Sequence, residues 1–376
     1  MAVLNLSAGL VITTWPERRL DLEKMGRWGR HWLVEGSNIY ATTEDEHDYP
    51  PHAVIALSPL SLLPEAAAVR LWASINLALA VLASYLAVRI VKPKAAWGTI
   101  ALPVLMFLCW GGFRTLLQFS LVTLVFGLCA MSLADRRPWM SGICMGMALM
   151  KPQIAAPFFL WALFTRRLRI AGVGAIVVIA GVLLFCLRAG ANPIAVVQQY
   201  ADTLPMHYRA DQDLIMVGLA QLRPLIALVI PDPGIVNAAA VAIAVGLLAC
   251  IGLLGFSEGK RPGVLMISAP PLVAVWSLLT FYHLTYGFVL LLPVATLLLF
   301  ENDPRTRAFR RAVFWTLQLA LMVDVPGMWP RFESALLPSR GAHLPGMTAH
   351  ADRVLMAATF VCLLALAFRR RDDKVQ

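Results

Sequence analysis

The sequence predicts an all-α, polytopic transmembrane protein of about 11 to 12 helices with a long first extracytoplasmic loop, and three observations carry that reading. Of 376 residues, 59% are hydrophobic and 14% charged, with a mean hydropathy of +0.71. That is too little charge to surround a soluble core of this length. Apolar stretches near the ~20 residues that a bilayer requires of a helix recur along the chain. The charges also divide by side, as translocation demands, because Lys and Arg stay behind on the cytoplasmic face.

Taken in order, residues 1–15 form an apolar piece without a basic start or a small-residue cleavage site, so they read as the end of a first transmembrane helix rather than a signal peptide. A polar segment, 16–65, follows. Its first part alternates Leu20, Met25, Trp28, Trp32 and Leu33 with Asp21, Glu23, Lys24, Arg27, Arg30 and His31, which predicts an amphipathic helix along the membrane surface. Spans are then expected at 66–90, 96–113, 115–134, 138–150, 153–165 and 168–187, a second large loop at 188–235 with a helix over 194–204, spans at 236–256, 263–280, 282–300 and 313–328, a third loop at 329–352 and a last span at 353–369. The two stretches flanking Lys151 are too short to cross alone and are read as tilted, broken or extended by loop residues. The whole chain, 1–376, reads as one polytopic domain.

The proposed cytoplasmic loops hold 18 bases and 6 acids, a balance of +12, and the opposite side holds 14 bases and 16 acids, −2. The formal charge of +10 therefore reports orientation in a membrane with an anionic inner face, and nucleic acid is a poor explanation for it. Six cysteines lie inside apolar spans without CxxC or Cys/His spacing, which argues against disulfides and zinc. There is no Walker loop, no GxGxxG after a strand and no HExxH. An activated substrate, if there is one, is then expected to arrive by lipid.

Several polar groups interrupt this apolar pattern. Asp21 stands just beyond the first apolar segment, where partial desolvation raises carboxylate basicity; pairing with Arg18 or Lys24 on one helical turn is the competing reading. The run Glu44, Asp45, Glu46, His47 and Asp48, with His52, matches no specific metal-ligand spacing and reads first as a hydrated loop. Tyr49, Pro50 and Pro51 fix an extended approach to the membrane, and Pro59 and Pro64 punctuate the hairpin that follows. In Met150–Gln153 a lysine stands between two apolar stretches, costly unless it snorkels or meets an anion such as a lipid phosphate. Arg114 and Gln118, about one turn apart, place further polar groups at a span entrance, and Tyr282, His283 and Tyr286 occupy an outer turn, where an aromatic belt accounts for the tyrosines.

The order of Asp21, EGSNIY, DYPPH, PLSLLP, LLQFSLVTL, MALMKPQ and WSLLTFYHLTYGFVLLLP over residues 20–300 resembles glycosyltransferase family 87, GT-C membrane enzymes that use polyprenyl-phosphate sugars and include bacterial mannosyltransferases. The resemblance implies a GT-C-like fold in the bacterial inner (plasma) membrane. It also implies inverting transfer of a mannose-like hexose to a lipid or glycan acceptor on the extracytoplasmic side. Asp21 matches the general base, and Lys151, Gln118, His283, Arg114, Tyr49, His52 and Gln153 are the candidates for substrate or lipid-phosphate binding. No metal site and no cofactor is expected, the lipid-linked donor being a co-substrate. The chain departs from the family pattern in its short first helix, in Leu117 where a glycine is usual, and in the rich acidic run at 44–48. A lipid or solute transporter is the competing class; it would distribute charge along a central path, whereas these polar groups gather on one side.

Overall fold

The structure is a computed structural model describing residues 20–41, 49–110, 118–210, 222–227, 229–230, 232–258, 265–281, 285–300, 306–323 and the two helical positions 359 and 363. Among the described residues there is no strand. The helices are α1 (Leu20–Leu33), α2 (Pro51–Leu57), α3 (Glu65–Val91), α4 (Trp97–Leu108), α5 (Ser120–Leu133), α6 (Pro138–Ala148), α7 (Pro152–Phe164), α8 (Leu168–Ala189), α9 (Pro193–Ala210), α10 (Arg223–Ala227), α11 (Pro233–Glu258), α12 (Leu265–Thr280), α13 (Leu291–Phe300) and α14 (Arg307–Val323). Most boundaries fall within a few residues of the hydropathy pattern. Windows in α3, α8 and α11 are long and apolar enough to cross a membrane.

Helix lengths decide the shape. α3 and α8 have 27 and 22 residues, whereas α4, α5, α6 and α7 have 12, 14, 11 and 13. At 1.5 Å per residue the four short helices are roughly 16 to 21 Å long, against a hydrocarbon slab of about 30 Å. Two of them, α5 and α7, meet the start of α8 at the arginine-rich end. There Arg167 Nη1 donates to Asp135 Oδ1 at 2.7 Å, joining the turn after α5 to the turn before α8, and its guanidinium lies over Trp161. The short helices therefore stop about 10 Å below the other end and leave a recess walled by α3 and α8.

The segment 49–62 fills that recess. Pro50 and Pro51 open α2, and a 3₁₀ turn, Ser58–Leu62, follows it. A Cβ added at Gly181 would lie 2.3 Å from His52 Cβ, so α2 touches the α8 backbone directly. Gly181 is eight residues from the end of α8, roughly 12 Å down the helix. α1 lies across the top with Leu22, Met25, Trp28 and Trp32 buried. Arg188 Nη2 donates to the carbonyls of Leu33 and Val34, satisfying the open end of α1, and Trp32 Nε1 donates to Phe185 O at 3.1 Å. The apolar stripe expected to lie on the membrane is thus spent on protein contacts.

Close packing elsewhere uses small residues. Ala80, Ala83 and Ala87 of α3 are buried in the main core with Leu124 and Leu128 of α5. α6 meets α8 through Gly142 and Gly146; a Cβ at Gly146 would lie 2.4 Å from Val177 Cβ and 2.9 Å from Gly174 O. The chain beyond α13 returns to the site end of the bundle, where Trp110 Nε1 donates to Gln318 Oε1 and Gln318 Nε2 donates to Met106 O. By contrast only 11% of the apolar window in α11 is buried, leaving Val241, Val245 and Leu253 exposed. So large an outward apolar surface suits lipid. Five cysteines, at 109, 129, 144, 186 and 250, are free, and Cys362 lies outside the described residues.

Substituting Gly146→Ala is expected to cost about 1–3 kcal/mol through overpacking against α8. Gly172→Ala, on α8 where nothing lies within 4 Å of an added Cβ, is expected to be neutral or stabilising by up to ~1 kcal/mol. Thermal unfolding of both variants in one detergent checks the contrast; equal Tm values would refute the close α6–α8 contact.

Candidate functional site

Two prolines and two short helices put a lysine at the bottom of the recess. Met150 closes the turn after α6, and Lys151 precedes Pro152, which begins α7. Its carbonyl accepts from the amides of Ile154 and Ala155. The side chain is 2% exposed. Its Nζ donates to Tyr49 Oη at 3.3 Å and sits 5.5 Å from the centre of the Tyr49 ring, so phenol dipole and ring quadrupole both favour the ammonium. A buried ammonium costs several kcal/mol unless such contacts or an anion offset it, which makes this lysine a candidate to meet an anionic group.

Tyr49 is held from three sides. Trp28 of α1 meets it edge-on at 6.4 Å, Phe119 does so at 5.5 Å, and Tyr40 donates its hydroxyl to the Tyr49 carbonyl at 2.7 Å. Tyr40 lies in the loop, packed on Phe185 and Tyr200. Burial, then the Tyr200 hydroxyl, push its phenol well above the ordinary value, so it remains a donor at neutral pH. Asn38 Nδ2 adds a bond to Gln199 Oε1 at 2.9 Å, fastening this loop to α9. Phe119 in turn packs on Trp72 of α3 at 4.7 Å. The result is one chain of contacts, Lys151–Tyr49–Phe119–Trp72, across the floor of the recess.

Gln118 precedes this floor. Its Oε1 is buried and accepts no hydrogen bond. His52 is buried on α2, its ring beside the Gly146 backbone of α6. Gln153 is half-buried on α7, and its carbonyl accepts from Ser277 Oγ at 2.7 Å, joining the lysine turn to α12. Asp21 lies in the first turn of α1, though its side chain is not among those described; Arg114 and His283 lie outside the described residues. The structure thus brings Tyr49, Lys151 and Gln118 to one region through Phe119, puts His52 on the helix that follows Tyr49, and sets Gln153 beside Lys151. Among the described residues no group of three His, Cys, Asp or Glu side chains could hold a metal ion.

Sequence reasoning missed Phe119, Trp72, Trp28 and Tyr40, which orient Tyr49. Nothing distinguishes an aromatic in an apolar span from ordinary core until its neighbours are known. Asn76 was a legible signal, being an amide in the middle of an apolar helix.

Comparison with known proteins gives a match to the model of glycosyltransferase family 87 over residues 47–280. The match includes Tyr49, His52, Arg114, Gln118, Lys151 and Gln153, and leaves Asp21 and His283 outside. No curated protein and no solved structure matched the chain. A match over more than half of the chain, on a bundle of apolar helices with a buried cation at its recessed end, identifies this protein as a member of glycosyltransferase family 87, a membrane glycosyltransferase.

Proposed function

We propose that the protein transfers a mannose-like hexose from a polyprenyl-phosphate donor to a lipid or glycan acceptor, with inversion, on the extracytoplasmic side of a bacterial inner membrane, within a single GT-C-like domain of about 11 to 12 transmembrane helices. The observation that carries this reading is Lys151, an ammonium buried in the recess and braced by Tyr49. A polyprenyl tail can lie among the apolar helices while its phosphate meets that cation about 10 Å below the end of the long helices. The bond from the anomeric carbon to the phosphate oxygen then breaks while the acceptor oxygen attacks. The phosphate leaves with its charge stabilised by Lys151, and Arg114 and His283 are further candidates for the same anion. Gln118, His52 and Gln153 contribute neutral polar contacts to the donor or acceptor.

Asp21 is the proposed base, taking the acceptor proton within about 3 Å in the reactive complex. Its place in the first turn of α1 suits a base: the helix is anchored at its far end by Arg188 and along its length by buried Trp28 and Trp32. No resident cofactor is needed, because the phosphate ester itself supplies the leaving group.

Asp21→Asn is expected to lower turnover by at least ~100-fold with unchanged folding, the usual scale for a lost general base. Lys151→Met removes the buried charge and is expected to lower transfer by at least ~100-fold, with Tm in the same detergent separating loss of the cation from loss of the fold. Purified protein with radiolabelled polyprenyl-phosphate mannose, glucose or arabinose and a membrane extract, with and without chelator, checks both. Full activity in Asp21→Asn removes that residue from the base role. Donors left intact while a lipid or solute crosses proteoliposomes would support transport instead.

A further inference from the structure

The floor of the recess continues downward as a polar seam inside an apolar bundle. α3 and α5 are separated by one returning helix, α4, so they run in the same direction. The Trp72–Phe119 contact sets their register. Asn76 follows Trp72 by one turn, and Thr123 follows Phe119 by one turn, so both lie one turn deeper. Asn76 Nδ2 donates to Trp72 O at 3.2 Å, but its Oδ1 accepts nothing. Trp72 Nε1, Ser120 Oγ and Thr123 Oγ1 are likewise buried without a hydrogen bond, as is Gln118 Oε1 above them. Asn76, Ser120 and Thr123 are each 1% exposed.

These orphan atoms are out of the ordinary. Serine and threonine in apolar helices regularly bond the carbonyl one turn back, as Ser74, Ser84, Thr280, Thr296 and Thr316 do in this protein. Thr123, with the Phe119 carbonyl one turn back, does not. Buried polar groups without partners are destabilising, and more than nine in ten are satisfied in folded proteins. Five such groups, on two adjoining helices, at one level and the turn below it, make a mixed set of donors and acceptors: an indole N–H, two hydroxyls and two amide oxygens. A phosphate would want donors and cations. A polyol wants both kinds of partner, and an aromatic edge beside them suits the C–H face of a sugar ring.

We infer that the α3–α5 seam formed by Trp72, Asn76, Gln118, Ser120 and Thr123 is the subsite that receives the hydroxyls of the transferred sugar. This inference rests on the glycosyltransfer reading and deepens it. It divides the recess by chemistry: the Lys151 side takes the phosphate, and the Trp72 side takes the ring. Specificity for one sugar over another then follows from which hydroxyls find partners in the seam, because a site built to hydrogen-bond a hydroxyl rejects a substrate lacking it.

Thr123→Val and Asn76→Leu preserve shape and remove the polar atoms, and Thr123→Ser restores the hydroxyl. Each variant is compared with the wild-type protein for kcat/KM with polyprenyl-phosphate hexose and for Tm in detergent. The inference expects Thr123→Val and Asn76→Leu each to lose roughly tenfold or more in kcat/KM, with Tm equal or a few degrees higher, and Thr123→Ser to recover most of the activity. A deoxy donor lacking the contacted hydroxyl should be turned over equally by wild-type and Thr123→Val. Wild-type kinetics in both apolar variants would overturn the inference, and so would activity lost in proportion to a fall in Tm. If the wild-type protein transfers from no hexose donor, the glycosyltransfer reading fails first and takes this one with it, which a fully active wild-type with fully active variants would not do.

Discussion

The site depends on a mismatch of length. A bilayer fixes the height of a bundle whose walls, α3 and α8, are long enough to cross it, while four neighbouring helices stop part-way up. Whatever occupies the difference must satisfy its backbone without water and without lipid contact, which is why the inserted chain is helical and proline-bounded rather than a loose loop. Charge buried there has no solvent to fall back on, so it must be matched by protein dipoles or by a ligand. Lys151 and its phenol partner express that constraint at one residue.

Several independent contacts agree on the depth. Trp72 lies seven residues into α3, Gly181 lies eight residues from the end of α8, and Phe119 sits at the tip of α5. Each corresponds to roughly 10 to 12 Å below the ends of the long helices. The aromatic contacts among Trp28, Tyr49, Phe119 and Trp72 lie at this level. Aromatic side chains suit such a floor, since they exclude water at little cost in side-chain freedom and still offer an edge or an N–H to a ligand.

The helices were legible in the sequence because a bilayer writes a simple code of apolar length bounded by basic residues. α3 and α8 appear within two residues of the hydropathy pattern, and the amphipathic α1 begins at Leu20 as its spacing predicts. The cation in Met150–Gln153 was legible too, being a charge where none is cheap. What could not be read was the destination of the apolar face of α1. Periodicity identifies a face that seeks burial, and it is silent on whether lipid or protein supplies it. Arg188, 155 residues from Leu33, supplies part of the answer, and no local pattern announces so distant a partner. The same holds for the orphan atom at Thr123, whose unsatisfied state shows only in the folded packing.

Gln318 gives the chain beyond the family match a bearing on the site. The family model ends at residue 280, yet one amide 38 residues later accepts from Trp110 and donates to the carbonyl of Met106, closing the far end of α4. That end leads into residues 111–117, which carry Arg114. Helix α14 therefore acts as a keystone for a short helix it does not adjoin in sequence. A chain trimmed to residues 47–280 would lack this amide, so the support of α4 extends beyond the matched stretch.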